Sequence, residues 1–257
     1  MGQKSAIEWT DATWNPITGC TKVSAGCDNC YAETLANRLL AERYLSREPL
    51  ERTETARLDP FAVRIWPERL HDPLGWKDAR RVFVNSMSDL FHASVPDDYI
   101  RGIFEIMLVA DWHAFQVLTK RPGRARRFIE RNQDLFEGGM VPPHIWMGTS
   151  IENQSSSQRV SHLRDVFAAT RFLSIEPLIG PIEGLDLQGV HWVIVGGESG
   201  IRRRPIDASW VRTIRDECVE AGVAFFFKQW GGRTPKAGGR ELDGREWSEM
   251  PGVFHYA

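Results

Sequence analysis

Three of the chain's four cysteines stand in one short stretch, Gly19-Cys-Thr-Lys-Val-Ser-Ala-Gly-Cys-Asp-Asn-Cys-Tyr31, and the fourth is the distant Cys218. Thiolates are soft donors that hold zinc or the irons of a cluster. Gly19 and Gly26 each precede a cysteine, where a backbone free to take positive φ can wrap around an ion. Cys20, Cys27 and Cys30 leave a tetrahedral zinc one ligand short. They leave one iron of a [4Fe–4S] cluster open to a small molecule. Structural zinc usually has four protein ligands, so the spacing describes a three-ligand centre with an open, reactive position. His71, His92, His113, His144 and Cys218 are scattered possibilities for a further ligand.

Other residues could do chemistry around such a centre. Glu152, Glu176 and Glu198 suit acid–base work or a ribose diol, because carboxylates accept paired hydroxyl hydrogens well. The plainer alternative is that they form ion pairs with Lys120 or Lys228. Lys120 and Arg121, in Leu118-Thr-Lys-Arg-Pro122, suit a carboxylate or phosphate. Lys228 ends a Phe-rich run, where an apolar setting can depress an amine pKa. Arg124, Arg126, Arg127 and Arg131, with Arg202-Arg-Arg204, could form a phosphate-binding face or be solvated and balanced by acids elsewhere. Cys218 reads as a packed thiol.

The elements that must position these groups follow from periodicity. Residues 6–10 read as a first strand and 11–30 as a loop. Leu35, Leu39 and Leu40 recur at helical spacing over 31–44. The proline-interrupted stretch 45–80 reads as an extended connection with short helices, such as Trp66–Leu70. Apolar strands are predicted at 81–85, 114–118, 144–147, 171–175, 191–195 and 223–227, and helices at 99–110, 123–135, 154–169 and 207–221. About seven short buried strands separated by helices indicate a parallel α/β sheet. No Gly-x-Gly-x-x-Gly follows an early strand. Nearly every strand ends in an ionisable residue: Asp11, Asp89, Lys120, Glu152, Glu176, Glu198 and Lys228. That pattern predicts a TIM-like (β/α) barrel, complete or incomplete, with its chemistry at the carboxyl ends of the strands. We expect one domain over 1–257, with 45–80 as an irregular insertion and 231–257 as a C-terminal extension.

Composition narrows the class. Hydrophobic residues make up 42% and charged residues 26%, as in globular proteins. The formal charge of −2 gives no global drive toward nucleic acid and leaves a local patch open. No apolar run approaches the roughly 20 residues of a membrane span, and the start lacks a signal-peptide core. We therefore expect a cytoplasmic protein with reduced thiols and no membrane association. Of the ten tryptophans, Trp230, before Gly231-Gly232, is expected to line a pocket.

A cysteine triad in the loop after the first strand of an α/β barrel resembles the radical S-adenosylmethionine superfamily. More closely, Gly19-Cys-x-x-Val23-Ser24-x-Gly26-Cys-x-x-Cys30 is similar to the signature of a phage-encoded and bacterial three-Cys-motif family. The motifs Asn85-Ser-Met-Ser-Asp89-Leu-Phe, Gly148-Thr-Ser-Ile-Glu152-Asn, Ser174-Ile-Glu-Pro177-Leu and Gly196-Gly-Glu-Ser-Gly200 carry the likeness along nearly the whole chain. The resemblance implies a [4Fe–4S] cluster on Cys20, Cys27 and Cys30, with S-adenosylmethionine as the second cofactor. It places Ser86, Ser88, Asp89, Thr149 and Glu152 around the cofactor, and Glu152, Glu176, Glu198, Lys120 and Lys228 around the chemistry. A separate partner protein encoded nearby is a further implication. With the arginine clusters, the expected activity is a radical-type modification of a nucleotide or nucleic acid. The alternatives are a zinc enzyme hydrolysing or modifying a nucleic-acid component, and a non-catalytic partner-binding protein whose metal only holds the loop.

Overall fold

Buried strands and helices alternate from Ala12 to Gln229 in the computed structural model, which describes residues 5–252. Seven strands lie side by side in chain order and all run parallel: β1 (Ala12–Trp14), β2 (Arg81–Val84), β3 (Ala114–Thr119), β4 (Val141–Ser150), β5 (Ala168–Ile175), β6 (Trp192–Gly196) and β7 (Ala224–Gln229). The order never reverses. Right-handed crossovers between successive neighbours put every crossover helix on the same face, so the sheet curls around its other face. β1 and β7 form the two edges and do not pair, which leaves an incomplete α/β barrel.

The helices are α1 (Tyr31–Arg38), α2 (Ala41–Leu45), α3 (Glu54–Leu58), α4 (Asp97–Val109), α5 (Pro122–Arg131), α6 (Arg159–Arg164) and α7 (Ala208–Ala221). Alternation along the strands divides the apolar residues between two clusters. Val82, Val84, Phe115, Val117, Ile145, Met147, Val193, Val195, Phe225 and Phe227 pack outward with Ile100, Phe104 and Phe128 of the helices. Phe83, Trp146, Phe172, Trp192, Ile194 and Phe226 face inward and meet Trp9. Further along the same inner face come Gly148, Ser174, Gly196 and Lys228. The interior is therefore plugged by aromatics toward the amino ends of the strands and is small or polar toward their carboxyl ends.

The first strand differs from expectation. Residues Ile7 to Thr10 form a turn closed by Thr10 N–H to the Ile7 carbonyl at 3.3 Å, and β1 begins only at Ala12. Asp11 consequently precedes β1 instead of ending a strand. Its carboxylate takes Arg81 at the amino end of β2, so it belongs to the far end of the barrel from the other strand-end residues. The helix expected over 154–169 is a 3-10 turn (Gln154–Ser156) followed by the short α6, because Ala168 already belongs to β5. The span 31–44 is broken into α1 and part of α2, and the helix over 123–135 ends at Arg131 before a 3-10 turn.

The stretch 45–80 holds only short elements, among them α3 and two 3-10 turns, and is built around two residues. Arg64 is fully buried and donates to the carbonyls of Arg47, Ala56, Asp59, Pro60 and Ala62. Trp66 lies among the guanidiniums of Arg43, Arg47 and Arg69 and donates from its indole to Thr18 Oγ1 at 2.8 Å. Among the described residues, no helix is long and apolar enough to cross a membrane.

Candidate metal centre at the barrel mouth

The cysteine loop follows β1 and crosses the carboxyl end of the sheet. Gly19 begins it, with φ of +85° and its backbone packed so tightly that a Cβ there would stand 2.2 Å from the Ala62 carbonyl oxygen. Only glycine fits that conformation and that approach. Gly19 bridges to Ser88 beyond β2, and its N–H donates to the Met87 carbonyl at 2.9 Å. From there the loop touches the end of one strand after another.

At the end of β3, Arg121 Nη1 donates to Asp89 at 2.8 Å and reaches Cys20 Sγ at 3.6 Å, while Nη2 donates to the Thr21 carbonyl at 3.1 Å. At the end of β4, Gly26 rests on the Glu152 side chain, whose carboxyl carbon would stand 3.2 Å from a Cβ at that position. At the end of β6, Asn29 donates to Glu198 Oε2 at 3.0 Å and Asp28 pairs with Arg204 at 3.3 Å. The Tyr31 hydroxyl donates to the Ser86 carbonyl beyond β2. The loop is thus pinned at four strand ends.

All three thiols are unpaired. Cys20 and Cys30 pack against an apolar cluster of Ala32, Ala36, Tyr44, Phe61, Trp66 and Met87, so the insertion forms the wall behind them. Burial pushes the Cys20 thiol up to about 11, helped by the Asp89 charge and opposed by Arg121. Burial also raises Cys30, with Lys120 opposing. Cys27 lies within electrostatic reach of both. Among the described residues, no three His, Cys, Asp or Glu side chains converge on a single ion position. Tyr31 is raised by burial of its hydroxyl and by the charges of Cys30 and Glu176, which places Glu176 in the same mouth.

A sequence profile described as "Protein of unknown function (DUF5131)" matches residues 4–251. The chain belongs to that family. One solved structure, "Spore photoproduct lyase complexed with dinucleoside spore photoproduct", is similar at 12% identity and a TM-score of 0.48. The likeness covers 84% of this chain and 63% of that one, so this chain spans less than two thirds of its length. Comparison with curated proteins returns no match.

The other expected site residues divide by what their side chains already hold. Asp89 is buried and accepts from Phe91 N–H, Thr119 Oγ1, Lys120 N–H and Arg121. Glu152 pairs with Arg159 at 3.0 Å. Glu198 accepts from the Arg204 backbone at 2.8 Å and its guanidinium at 2.7 Å. Burial would raise the Glu198 pKa, but the donors from Arg204 and Asn29 outweigh it and hold the carboxyl below its ordinary value. Ser86 Oγ meets Asn15, and Ser88 Oγ donates to the Ile17 carbonyl at 3.0 Å. Thr149 is fully buried on the outward side of β4, with its hydroxyl on the Thr119 carbonyl at 2.8 Å, so the structure sets it apart from the mouth.

Glu176, Lys228 and Lys120 differ in how far the mouth engages them. Lys228 Nζ stands 2.9 Å from Glu176 Oε1 in an ion pair, but off the direction of a hydrogen bond, so Oε1 is buried without a donor. The Lys120 ammonium, within electrostatic reach of Cys30, has no side-chain hydrogen-bond or ion-pair partner among the described residues. His113 and His144 are engaged by backbone groups of Pro73 and Met107, and Cys218 is buried on α7; none of them approaches the thiols. His92 comes nearest, its ring on Thr21 Oγ1 at 2.9 Å. Three of the four arginines of α5 are balanced by acids, Arg124 and Arg131 by Asp97 and Arg126 by Glu130; Arg127 has no carboxylate partner among the described residues. Sequence reasoning missed Asn15, whose Oδ1 accepts Met87 N–H at 2.9 Å and fixes the turn after β2. The Asn15-Pro16 pair at the true end of β1 was its signal.

Proposed function

We propose that the protein is an iron–sulfur enzyme of radical S-adenosylmethionine type that modifies a nucleotide or nucleic acid. One observation carries the proposal: three unpaired thiols on one loop, pinned across the open carboxyl end of a half-barrel. Cys20, Cys27 and Cys30 would hold a [4Fe–4S] cluster. Three thiolates would bind three irons of such a cluster and leave the fourth open to a small molecule. Bound there, the cluster would supply the electron that cleaves S-adenosylmethionine.

The chain's own residues supply the rest. Arg121 beside Cys20 and Lys120 within electrostatic reach of Cys30 provide the positive charge that offsets thiolates once metal replaces their protons. Lys120 would take a carboxylate or phosphate, and Glu176 with Lys228 would stand near the chemistry as an ion pair. Lys228 pairs with Glu176 and orients it. Asp89, Glu152 and Glu198 act as supports of the loop, and Ser86 and Ser88 complete the rim. Reduced thiols fit a cytoplasmic setting. The implied separate partner protein belongs to the same proposal, as does kinship with the phage-encoded three-Cys-motif proteins.

Anaerobic purification with iron, sulfide and zinc analysis and a visible spectrum tests this. We expect iron and sulfide with broad visible absorption, lost in Cys20→Ala and kept in Cys218→Ala. Stoichiometric zinc with no such absorption would sink the cluster. With the cluster present, reduction should yield 5′-deoxyadenosine from S-adenosylmethionine.

A further inference from the structure

The loops after β6 and β7 enclose a second concavity beside the cysteine loop. Arg203, Arg204, Pro205, Ile206, Trp230 and Arg233 line it together with Glu198 and glycine backbone, around a volume of about 420 Å³. That size lies within the roughly 300–1,000 Å³ of small-ligand pockets. Its wall is closely built. A Cβ on Gly197 would stand 2.1 Å from the Trp230 carbonyl oxygen, and one on Gly231 would stand 2.2 Å from that of Glu198. Gly200 N–H donates to the Gly232 carbonyl at 2.8 Å, and Gln229 ties both Gly197 and Ser199. Such backbone-on-backbone contacts fix the two loops against each other.

The charges in this pocket do not cancel. Glu198 is neutralised by Arg204. Arg203 and Arg233 are exposed and have no carboxylate partner among the described residues; Arg203 meets only the Gly200 carbonyl, at 3.3 Å. Elsewhere, Arg101, Arg124, Arg131, Arg212 and Arg215 are each paired with an acid. Trp230 is half-buried, its indole N–H is spent on the Glu241 carbonyl at 2.8 Å, and its ring meets Phe227 in a T-shaped contact at 4.7 Å. What it offers the pocket is an apolar ring surface.

We infer that this pocket docks one nucleotide of a single-stranded nucleic acid, with Arg203 and Arg233 on its phosphate and Trp230 against its base. Unpaired guanidiniums beside an aromatic surface are the elements that track a strand's backbone and stack its bases. The inference rests on the proposed action on nucleic acid and names where the strand is held. The pocket shares Glu198 and Arg204 with the cysteine loop, so a strand seated there lies next to the mouth.

The test is anisotropy of a labelled single-stranded oligonucleotide across a salt series, with the full chain purified anaerobically. We expect the double variant Arg203→Gln/Arg233→Gln to bind roughly tenfold or more weakly, with a log–log salt slope shallower by about 0.7, for one phosphate contacted on a single strand. Trp230→Leu should weaken binding about tenfold and leave the slope unchanged. Arg38→Gln/Arg52→Gln, which removes the same charge from exposed sites elsewhere, should bind as wild type. Circular dichroism checks that each variant is folded. If wild type binds and the Arg203/Arg233 variant binds equally with the same slope, the pocket is not the docking site, and the nucleic-acid reading stands. If wild type binds no oligonucleotide, both fall. Direct binding of a labelled mononucleotide by a wild type that binds no strand would also overturn the inference.

Discussion

Asp89 shows how much of the mouth rests on single buried charges. Its carboxylate accepts four donors, and Arg121 passes that order on to Cys20 and Thr21. Both side chains are largely buried, at 7% and 15% exposed, so removing one partner strands the other's charge. Asp89→Ala is expected to lower unfolding stability by about 3–5 kcal/mol in urea titration. Ser88→Ala, which loses one hydrogen bond to the Ile17 carbonyl, is expected to cost about 1 kcal/mol. Comparable losses in the two variants would mean that Arg121 finds solvent when Asp89 is gone. The types of these residues were legible in the sequence; their engagements were not. Glu152 and Glu198 read either as acid–base groups or as ion-pair partners of Lys120 or Lys228, yet each is held by an arginine six or seven positions further along, Arg159 and Arg204. No periodicity marks those pairs, because they are fixed by loop geometry at the strand ends. Glu176 also meets the ion pair foreseen with Lys228, yet keeps one oxygen without a hydrogen-bond donor.

The strands and outer helices follow from local pattern, whereas the cysteine loop follows from contacts distant in sequence. Six of the seven strands begin or end within a few residues of their apolar runs, since a parallel strand buried on both faces announces itself by composition. β1 was displaced because Trp9, apolar and strand-like, is instead the inner plug packed on Phe83 and Trp192. The loop's shape depends on Gly19 lying against Ala62, on the far side of an insertion that carries almost no regular pattern. Gly19→Ala therefore meets both a left-handed backbone, costing roughly 1–3 kcal/mol, and a backbone clash. Gly26→Ala meets only the bendable Glu152 side chain at 3.2 Å. We expect Gly19→Ala to lose most of its metal and Gly26→Ala to keep most of it, by metal analysis of matched preparations. Arg64→Met, which leaves five carbonyls without their donor, should expose the insertion to limited proteolysis while the sheet keeps its circular dichroism. An insertion that resists protease in that variant would assign its order to Trp66 instead.

The mouth carries the chemistry, and pH should act on stability at both ends of the barrel, through His92, lowered by burial at the mouth, and through three histidines toward the opposite end. His113 and His191 immediately precede β3 and β6, and His144 lies in the first half of β4. In each, burial holds the imidazole pKa below its ordinary 6.5. His113 shows why the charged ring is excluded. Its Nδ1 accepts Arg80 N–H at 3.2 Å while Nε2 faces the Pro73 carbonyl at 3.1 Å, so the neutral ring satisfies both and protonation would set two donors face to face. The unfolded chain binds these protons near pH 6.5 and the folded chain only at lower pH. Stability is therefore fully present above about pH 6.5 and falls as pH drops through the window down to the folded values. Asp11 and Glu198, whose pKa values are also lowered, lose their contributions only at more acidic pH, below the ordinary carboxyl values of 3.8 and 4.5. The urea midpoint should thus fall between pH 7 and pH 5, and His113→Gln, which can still accept at one end and donate at the other, should show a shallower fall. A midpoint independent of pH over that range would show that these rings titrate alike in the folded and unfolded chains, and would remove them as the molecule's acid-sensitive groups.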